Sequence, residues 1–485
     1  MWHEERLLID GELVAASGGA TYETVDPATE EVLGVAADAS VGDTDRAIAA
    51  ARRAFDTTGW ARDRDLRLRC LRQLHAALVE HADALREILV REVGAPVQST
   101  HGAQLDGPTD VVRWYADLLE GYGFTEDLGE REMFGMRSRR WVEKEPAGVV
   151  AAITAYNYPI QLALAKLAPA LAAGCTVVLK GAPDTPWSAL ALGRIVAEAT
   201  DIPPGVVNVV TSSRNDVGER MTTHPGVDLI SFTGSTPVGR RIMEAASATV
   251  KRVFLELGGK SAFVLLDDGD PSLAAMICAF AVVSHSGQGC AITSRLVVPR
   301  DRHDETVDAA RGVLEGIAYG DPSDPANTMG PLISARQREK VAGYVDRALA
   351  AGAKAVCGGR APAHLPRGFF YEPTLIVGAG EDSEIAQDEL FGPVLVVLPH
   401  DGDDDAVRIA NNSIYGLSGS VLSADRERAL AVARRIRAGT MSVNGGVWYG
   451  PDAPFGGYKQ SGIGREMGVA GLAEFLELKT YAEPV

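Results

Sequence analysis

The chain has 485 residues, more than one hydrophobic core usually supports, so two or three domains are expected. A net charge of −18 on an ordinary globular composition argues against a nucleic-acid-binding or anionic-membrane surface. Five scattered cysteines (Cys70, Cys175, Cys278, Cys290 and Cys357) include no CxxC pair or Cys/His cluster, so no metal site is expected and a disulfide framework is improbable.

The opening MWHEERLLID is charged and lacks a basic patch followed by an apolar core, so no signal peptide is expected. A helical pattern runs over 41–55, with Asp43 and Thr44 as candidate caps, and a long amphipathic one over 66–93, stopped by Gly94-Ala95-Pro96. Residues 127–145 mix charged and apolar side chains around a central glycine and read as an exposed hairpin or arm. The apolar stretch 161–179 is interrupted by Lys166 and Pro169, and no run is long enough to span a membrane. A reducing cytoplasm is the simplest compartment.

Strand patterns at 148–154, 176–180, 206–211, 229–233 and 262–266 each end in a turn and lead into a helical pattern, which predicts βαβ units and a parallel sheet. A second alternating block follows, with strands at 295–298, 354–356, 374–377, 394–398 and 440–444. The acidic run 401–405 reads as a solvated loop. Cys70 and Cys278 lie in helical apolar patterns, and Cys175 and Cys357 beside strands, so all four read as packing residues.

Four segments carry chemistry. Asn157 follows a strand and reads either as a turn residue or as an amide donor to an oxyanion. Residues 232–239 (FTGSTPVG) follow another strand and open a helix. The spacing is GxxxxG rather than GxGxxG, and a turn of this kind is either structural or a pyrophosphate cradle. Glu256 stands in an apolar run, as a satisfied buried acid or as a general base with a raised pKa. Cys290 is set among glycines in Gly287-Gln288-Gly289-Cys290; a helix starting there would lower its pKa and favour the thiolate.

Taken together, YNYP at 156–159, FTGS at 232–235, LELGGK at 255–260, GQGC at 287–290, ELFGPV at 389–394 and PFGGYKQSGIGRE at 454–466 resemble the aldehyde dehydrogenase superfamily, of the non-acylating NAD(P)-dependent type. The motifs follow the family's order and cover nearly the whole chain. The resemblance implies an α/β fold with a Rossmann-type cofactor domain (1–123 and 147–258), a second α/β catalytic domain (259–458) and a small β oligomerisation arm (124–146 and 459–485). It implies that Cys290 attacks the aldehyde, that its backbone N–H and the Asn157 amide hold the oxyanion, and that Glu256 activates the water that hydrolyses the thioester, with Lys166 and Glu466 relaying protons. Glu256 favours hydrolysis over the CoA-acylating alternative, and intact Cys290, Glu256 and Asn157 speak against a non-catalytic scaffold.

Cofactor contacts carried over by the resemblance are Tyr156, Lys180, Pro183, Gly234, Ser235, Gly239, Leu257, Glu389 and Phe391. NAD-preferring members often carry glutamate where this chain has Pro183, so NAD is expected with NADP possible. The implied aldehyde tunnel comprises Leu162, His285, Gly289, Ala291, Trp448, Tyr449 and Phe455. It contains no arginine, so an uncharged aliphatic or aromatic aldehyde is expected, with a semialdehyde or betaine aldehyde as the alternative. Ser284-His285-Ser286 departs from the aromatic and asparagine that many relatives place before the cysteine. The arm and a C-terminal strand at 474–479 imply a homodimer or homotetramer.

Overall fold

The computed structural model describes residues 3–485. Apolar runs at the predicted strand positions pair into two large sheets. In the first, the spatial order is Gly462–Ile463, Arg252–Glu256, Leu229–Thr233, Val149–Ile153, Thr176–Lys180, Val207–Val210, Leu7–Ile9 and Glu12–Val14. The five strands from Val149 to Glu256 are parallel. The chain builds outward from Val149–Ile153 through two strands on one side, then crosses to place Leu229–Thr233 on the other. That reversal makes a crevice at the carboxyl ends of the two central strands, the usual ligand position in such sheets.

The second sheet orders Lys354–Cys357, Thr374–Val377, Val394–His400, Thr293–Pro299, Ser261–Leu265, Ser418–Leu422 and Thr440–Val443, all parallel except the first strand. Both sheets are buried on two faces, so their strands are continuous apolar runs without alternation. A third sheet joins Thr125–Met133 and Met136–Pro146 as a hairpin with the C-terminal strand Leu476–Pro484. The hairpin exposes Phe134 and Met136 near its tip. Among the described residues no helix is long and apolar enough to cross a membrane.

Several expected elements differ in detail. The helical pattern at 66–93 is two helices, Arg64–Glu80 and Ala82–Val93, because His81 leaves helical geometry and ends one while starting the other. The helix expected from residue 41 covers Val41–Thr57; Ser40 is its cap, and the Asp43 carboxylate in the first turn accepts a hydrogen bond from the Ser40 backbone N–H. The acidic run 401–405 is no free loop. Asp403 to Asp405 form the first turn of the helix Asp403–Asn411, and Asp401 and Asp403 pair with Arg300 and Arg428 at 2.8 and 2.6 Å. The C-terminal strand starts at Leu476, since Glu474 and Phe475 still belong to a turn after the helix Gly468–Ala473.

Two helices that back the first sheet are locked by one buried carboxylate. Glu92, fully buried near the end of Ala82–Val93, accepts hydrogen bonds from the backbone of Trp187 (2.6 Å) and Ser188 (2.9 Å) and from the Ser188 hydroxyl (2.7 Å). It thereby caps the helix Pro186–Ala199, whose own N-cap residue supplies no side-chain bond. Glu92→Ala should therefore lower stability by about 2 kcal/mol, seen as a lower thermal midpoint; an unchanged midpoint would show that solvent replaces the cap.

Candidate active site

Three consecutive parallel strands of the first sheet deliver their carboxyl ends to one cavity. Val149–Ile153 leads to Tyr156 and Asn157, Leu229–Thr233 to Gly234 and Ser235, and Arg252–Glu256 to Leu257 and Gly258. The second sheet faces them with the loop before Thr293–Pro299, which carries Cys290, and the loop before Val394–His400, which carries Glu389 and Phe391. The enclosed cavity is about 670 Å³. It brings together Asn157, Glu256, Cys290 and Glu466, distant in sequence, with Tyr156, Leu162, Gly289, Ala291, Trp448, Tyr449 and Phe455 in its wall.

Cys290 is half-buried, in a turn between the 3-10 segment Ser284–Gly287 and the strand at 293. No helix starts at this residue, so no helix dipole favours its thiolate. Burial, with Glu256, Glu389 and Glu466 near by, instead pushes the thiol well up. The resting group is the neutral thiol, so its attack on a carbon centre needs a proton acceptor close at hand.

The cysteine loop is held from behind. His285, Ser286 and Gly287 all have positive φ (45°, 56° and 74°), and a side chain on Gly287 would meet the Gly392 carbonyl at 2.0 Å. Gln288 is buried; its amide donates to the His285 carbonyl and its oxygen accepts from the Ile333 backbone at 3.0 Å. The Asn157 side chain donates to the Gln288 carbonyl at 2.8 Å, which ties the amide to the cysteine loop, while Gln104 fixes the Asn157 backbone at 2.9 Å. Gly259 makes the remaining contact, since a Cβ there would lie 2.3 Å from the Cys290 carbonyl oxygen.

Glu256 is buried, and neither carboxyl oxygen has a hydrogen-bond partner in the protein. Its pKa is raised well above the ordinary value, first by burial and then by Glu466, against a smaller opposing pull from Lys166. Lys166 and Glu466, both buried, pair at 2.7 Å, and the ammonium also faces the Phe254 ring at 5.4 Å. Glu466 is thus compensated and Glu256 is left as the reluctant anion.

At the other end, Glu389 accepts from the Gly259 backbone at 2.9 Å, and burial lifts its pKa to about 7. The helix Thr236–Ser247 opens at Ser235 with no side-chain cap, so the backbone N–H groups of its first turn face the crevice uncapped by any side chain of Ser235. Both features suit a dinucleotide, whose pyrophosphate is stabilised by such a helix end and whose ribose needs an acceptor.

Some expected residues stand apart from the cavity wall. Lys180 is buried at the end of its strand, its pKa lowered to about 8 by burial; Pro183 is exposed; Gly239 packs under Leu257 inside the helix. None of the three lines the cavity. His285 is also absent from the wall: it is buried behind Tyr158, ring to ring at 5.3 Å, and burial lowers its pKa to about 4. Local sequence gave no sign of Gln104, Ile277 or Ala281, and it marked Ser284 only as a departure from relatives; of these, Ile277, Ala281 and Ser284 line the cavity. In chain order, these three follow at intervals of four and three residues, a helical stripe that marks one face.

A model of the aldehyde dehydrogenase family matches residues 13–481. Curated relatives include a 3-succinoylsemialdehyde-pyridine dehydrogenase from a Pseudomonas species, 42% identical over 475 residues with 97% of each chain covered. Another is geranial dehydrogenase from Castellaniella defragrans, 37% identical with 98% of each covered. Among solved structures, a cysteine-to-alanine mutant of an aldehyde dehydrogenase from Pseudomonas syringae, in complex with NAD+ and octanal, superposes with a TM-score of 0.93 at 39% identity, covering 99% of this chain and 96% of that one. Betaine aldehyde dehydrogenase from Staphylococcus aureus in complex with NAD+ gives 0.95 at 35% identity, covering 99% and 94%. The chain belongs to the aldehyde dehydrogenase family and has its fold.

The raised pKa of Glu256 has a stability consequence. The folded state holds the proton more tightly than the unfolded chain, whose ordinary value is 4.5, so stability declines as pH rises above that value. Glu256→Gln should then raise the thermal midpoint by roughly 1–3 °C at pH 8 and leave it unchanged near pH 4.5; a pH-independent difference would contradict the assignment. Gly259→Ala should cut aldehyde oxidation by about 100-fold, because the added methyl displaces the Cys290 backbone, and lower the thermal midpoint through the same overpacking; wild-type turnover would contradict the close approach.

Proposed function

We propose that this aldehyde dehydrogenase converts a neutral aldehyde to its carboxylic acid through an acyl group carried on Cys290, with NAD as cofactor and NADP accepted. The observation that carries the reading is the convergence of Cys290, Asn157 and Glu256 on one cavity, with Glu256 buried and without a partner. Cys290 adds to the aldehyde carbon, and its proton passes to a neighbouring carboxylate. The Asn157 amide, positioned by Gln288, and the Cys290 backbone N–H stabilise the oxygen that gains charge. Glu256 then takes a proton from water as it attacks the thioester, and Lys166 with Glu466 accepts or returns that proton.

NAD supplies the acceptor for the hydride that leaves the substrate carbon. Ser235 and the helix start behind it would hold its pyrophosphate, Glu389 its nicotinamide ribose, and Phe391, edge-on to Tyr156 at 6.0 Å, would flank the ring. The NAD+ complexes of the Pseudomonas and Staphylococcus relatives support this cofactor. The exposed Pro183, where NAD-preferring members often place glutamate, removes repulsion of a 2′-phosphate and supports tolerance of NADP. No arginine lines the cavity, and its one lining lysine, Lys340, stands with Glu389 at the cofactor end, so a carboxylate-bearing semialdehyde is disfavoured beside Glu256 and Glu466. Five free cysteines support a reducing cytoplasm, and the exposed apolar tip of the three-stranded arm supports a homodimer or homotetramer.

Rapid quenching with aldehyde and cofactor, followed by mass spectrometry of the peptide bearing Cys290, tests the sequence of steps. An acyl adduct should accumulate in Glu256→Gln and be missing in Cys290→Ala. Turnover by Cys290→Ala, or CoA-dependent release of acyl-CoA by the wild type, would overturn the proposal.

A further inference from the structure

Asn157 stands where regular backbone bonding lapses. The strand Val149–Ile153 has ended, and the helix Pro159–Ala173 begins its ladder with the Leu162 N–H donating to the Tyr158 carbonyl at 2.9 Å. The carbonyl of Asn157, itself a buried residue, therefore lies outside both elements and needs a partner from elsewhere. The side chain of Gln104 supplies it, with Nε2 donating at 2.9 Å. Gln104 comes from the turn between the short helix Val97–Thr100 and the helix Asp106–Gly121. That turn is braced in its own right. The Gln104 and Gly102 N–H groups donate to the Ser99 carbonyl at 3.1 and 3.2 Å, and Arg86 donates to the Thr100 hydroxyl at 2.7 Å and the Asp106 carboxylate at 3.2 Å. Ala103, next to Gln104, lies in the cavity wall.

Gln104 is fully buried, and its amide oxygen has no partner in the protein. A buried amide that makes one bond and leaves its oxygen unpaired adds little stability over an apolar side chain of the same size. Stability therefore does not account for a glutamine here. The placement of its bond does. Gln104 anchors the main chain of Asn157, while the Gln288 carbonyl, in the same loop as Cys290, anchors the Asn157 side-chain amide at 2.8 Å. A side chain held only at its tip swings when its backbone shifts; one held at both ends does not. We propose that Gln104 is a positioning residue for the oxyanion, fixing the Asn157 backbone so that the Asn157 amide keeps its place against the nucleophile's loop. The inference rests on the proposed aldehyde oxidation at Cys290 and adds to it a residue that acts only through Asn157. Misplacing such a donor slows the chemical step and leaves cofactor binding nearly untouched, because the substrate oxygen gains its charge only as the carbon–sulfur bond forms.

The test uses the full-length enzyme with NAD and either hexanal or benzaldehyde. Gln104→Met keeps the volume and loses the donor, and should lower kcat by about tenfold. KM for NAD and the rate of Cys290 alkylation by iodoacetamide should stay within about twofold of wild type, since alkylation develops no oxyanion. In an Asn157→Ala background the same substitution should have no further effect on kcat, because its route to the reaction is gone. Wild-type kcat in Gln104→Met would overturn the inference while leaving aldehyde oxidation standing. So would an equal loss in both backgrounds, or a parallel loss of alkylation, since either marks general damage to the site. Gln104→Glu covers the case of a methionine variant that does not fold. Its carboxyl donates to the Asn157 carbonyl when protonated and repels it when ionised, so its turnover relative to wild type should fall as pH rises; a flat ratio would sink the inference. Absence of NADH formation by the wild type with both aldehydes would overturn the proposed oxidation itself, and the inference with it.

Discussion

Everything at this site depends on how the protein distributes negative charge in a buried space. Glu256, Glu389 and Glu466 all act on Cys290, and bringing three carboxylates out of water around one thiol would be prohibitive if all were ionised. The fold resolves this unequally. Lys166, embedded in the apolar helix Pro159–Ala173, neutralises Glu466; Glu389 is eased by the Gly259 backbone and the nearby Lys340 and Lys260. Glu256 alone is left without a hydrogen bond. A carboxyl group held in that condition gives up its proton reluctantly and regains it readily, which is what a base acting once per turnover requires.

The two sheets approach closely at Gly258 and Gly259. Strand Arg252–Glu256 belongs to the first sheet and strand Ser261–Leu265 to the second, and four residues between them carry the chain across. That crossing carries the base on one side and touches the nucleophile's carbonyl on the other. Base and nucleophile are therefore fixed on opposite banks of the cavity by a stiff, short connection and not by long side chains. Asn157 adds a second tie across the gap through Gln288. A reaction in which the acyl carbon must be presented first to a hydride acceptor and then to water gains from walls that do not move.

Asn157 and Ser235 were legible from the sequence because they follow strands at 148–154 and 229–233 whose apolar pattern was plain, and Glu256 because a carboxylate stands out in an apolar run, which the structure shows to be the strand Arg252–Glu256. The family resemblance supplied what spacing could not, namely that these ends meet. Cys290 was found by its glycines, but nothing local settles its environment. A helix start would favour the thiolate, and in the absence of one, burial and three carboxylates from other segments raise its pKa. His285 illustrates the same limit: nothing local says that it is buried against the Tyr158 ring, 127 positions earlier by number (285 − 158), and away from the cavity wall. The break at His81 escaped notice because the apolar pattern runs through it, and only backbone geometry separates the two helices.

Polar and apolar ends of one cavity impose different kinds of selection. Along Ile277, Ala281, Trp448 and Phe455 each extra methylene of substrate is worth about 0.8 kcal/mol of burial, much the same for any unbranched tail that fits. That end rewards size and tolerates variety. At the Cys290 end the lining is polar and charged, with Asn157, Glu256 and Glu466, so charge and hydrogen-bonding groups on a substrate weigh more there than its length. Groups that line the cavity beside Cys290 lie close enough to the reacting carbon to act on kcat as well as on KM, whereas the apolar wall acts mainly on binding.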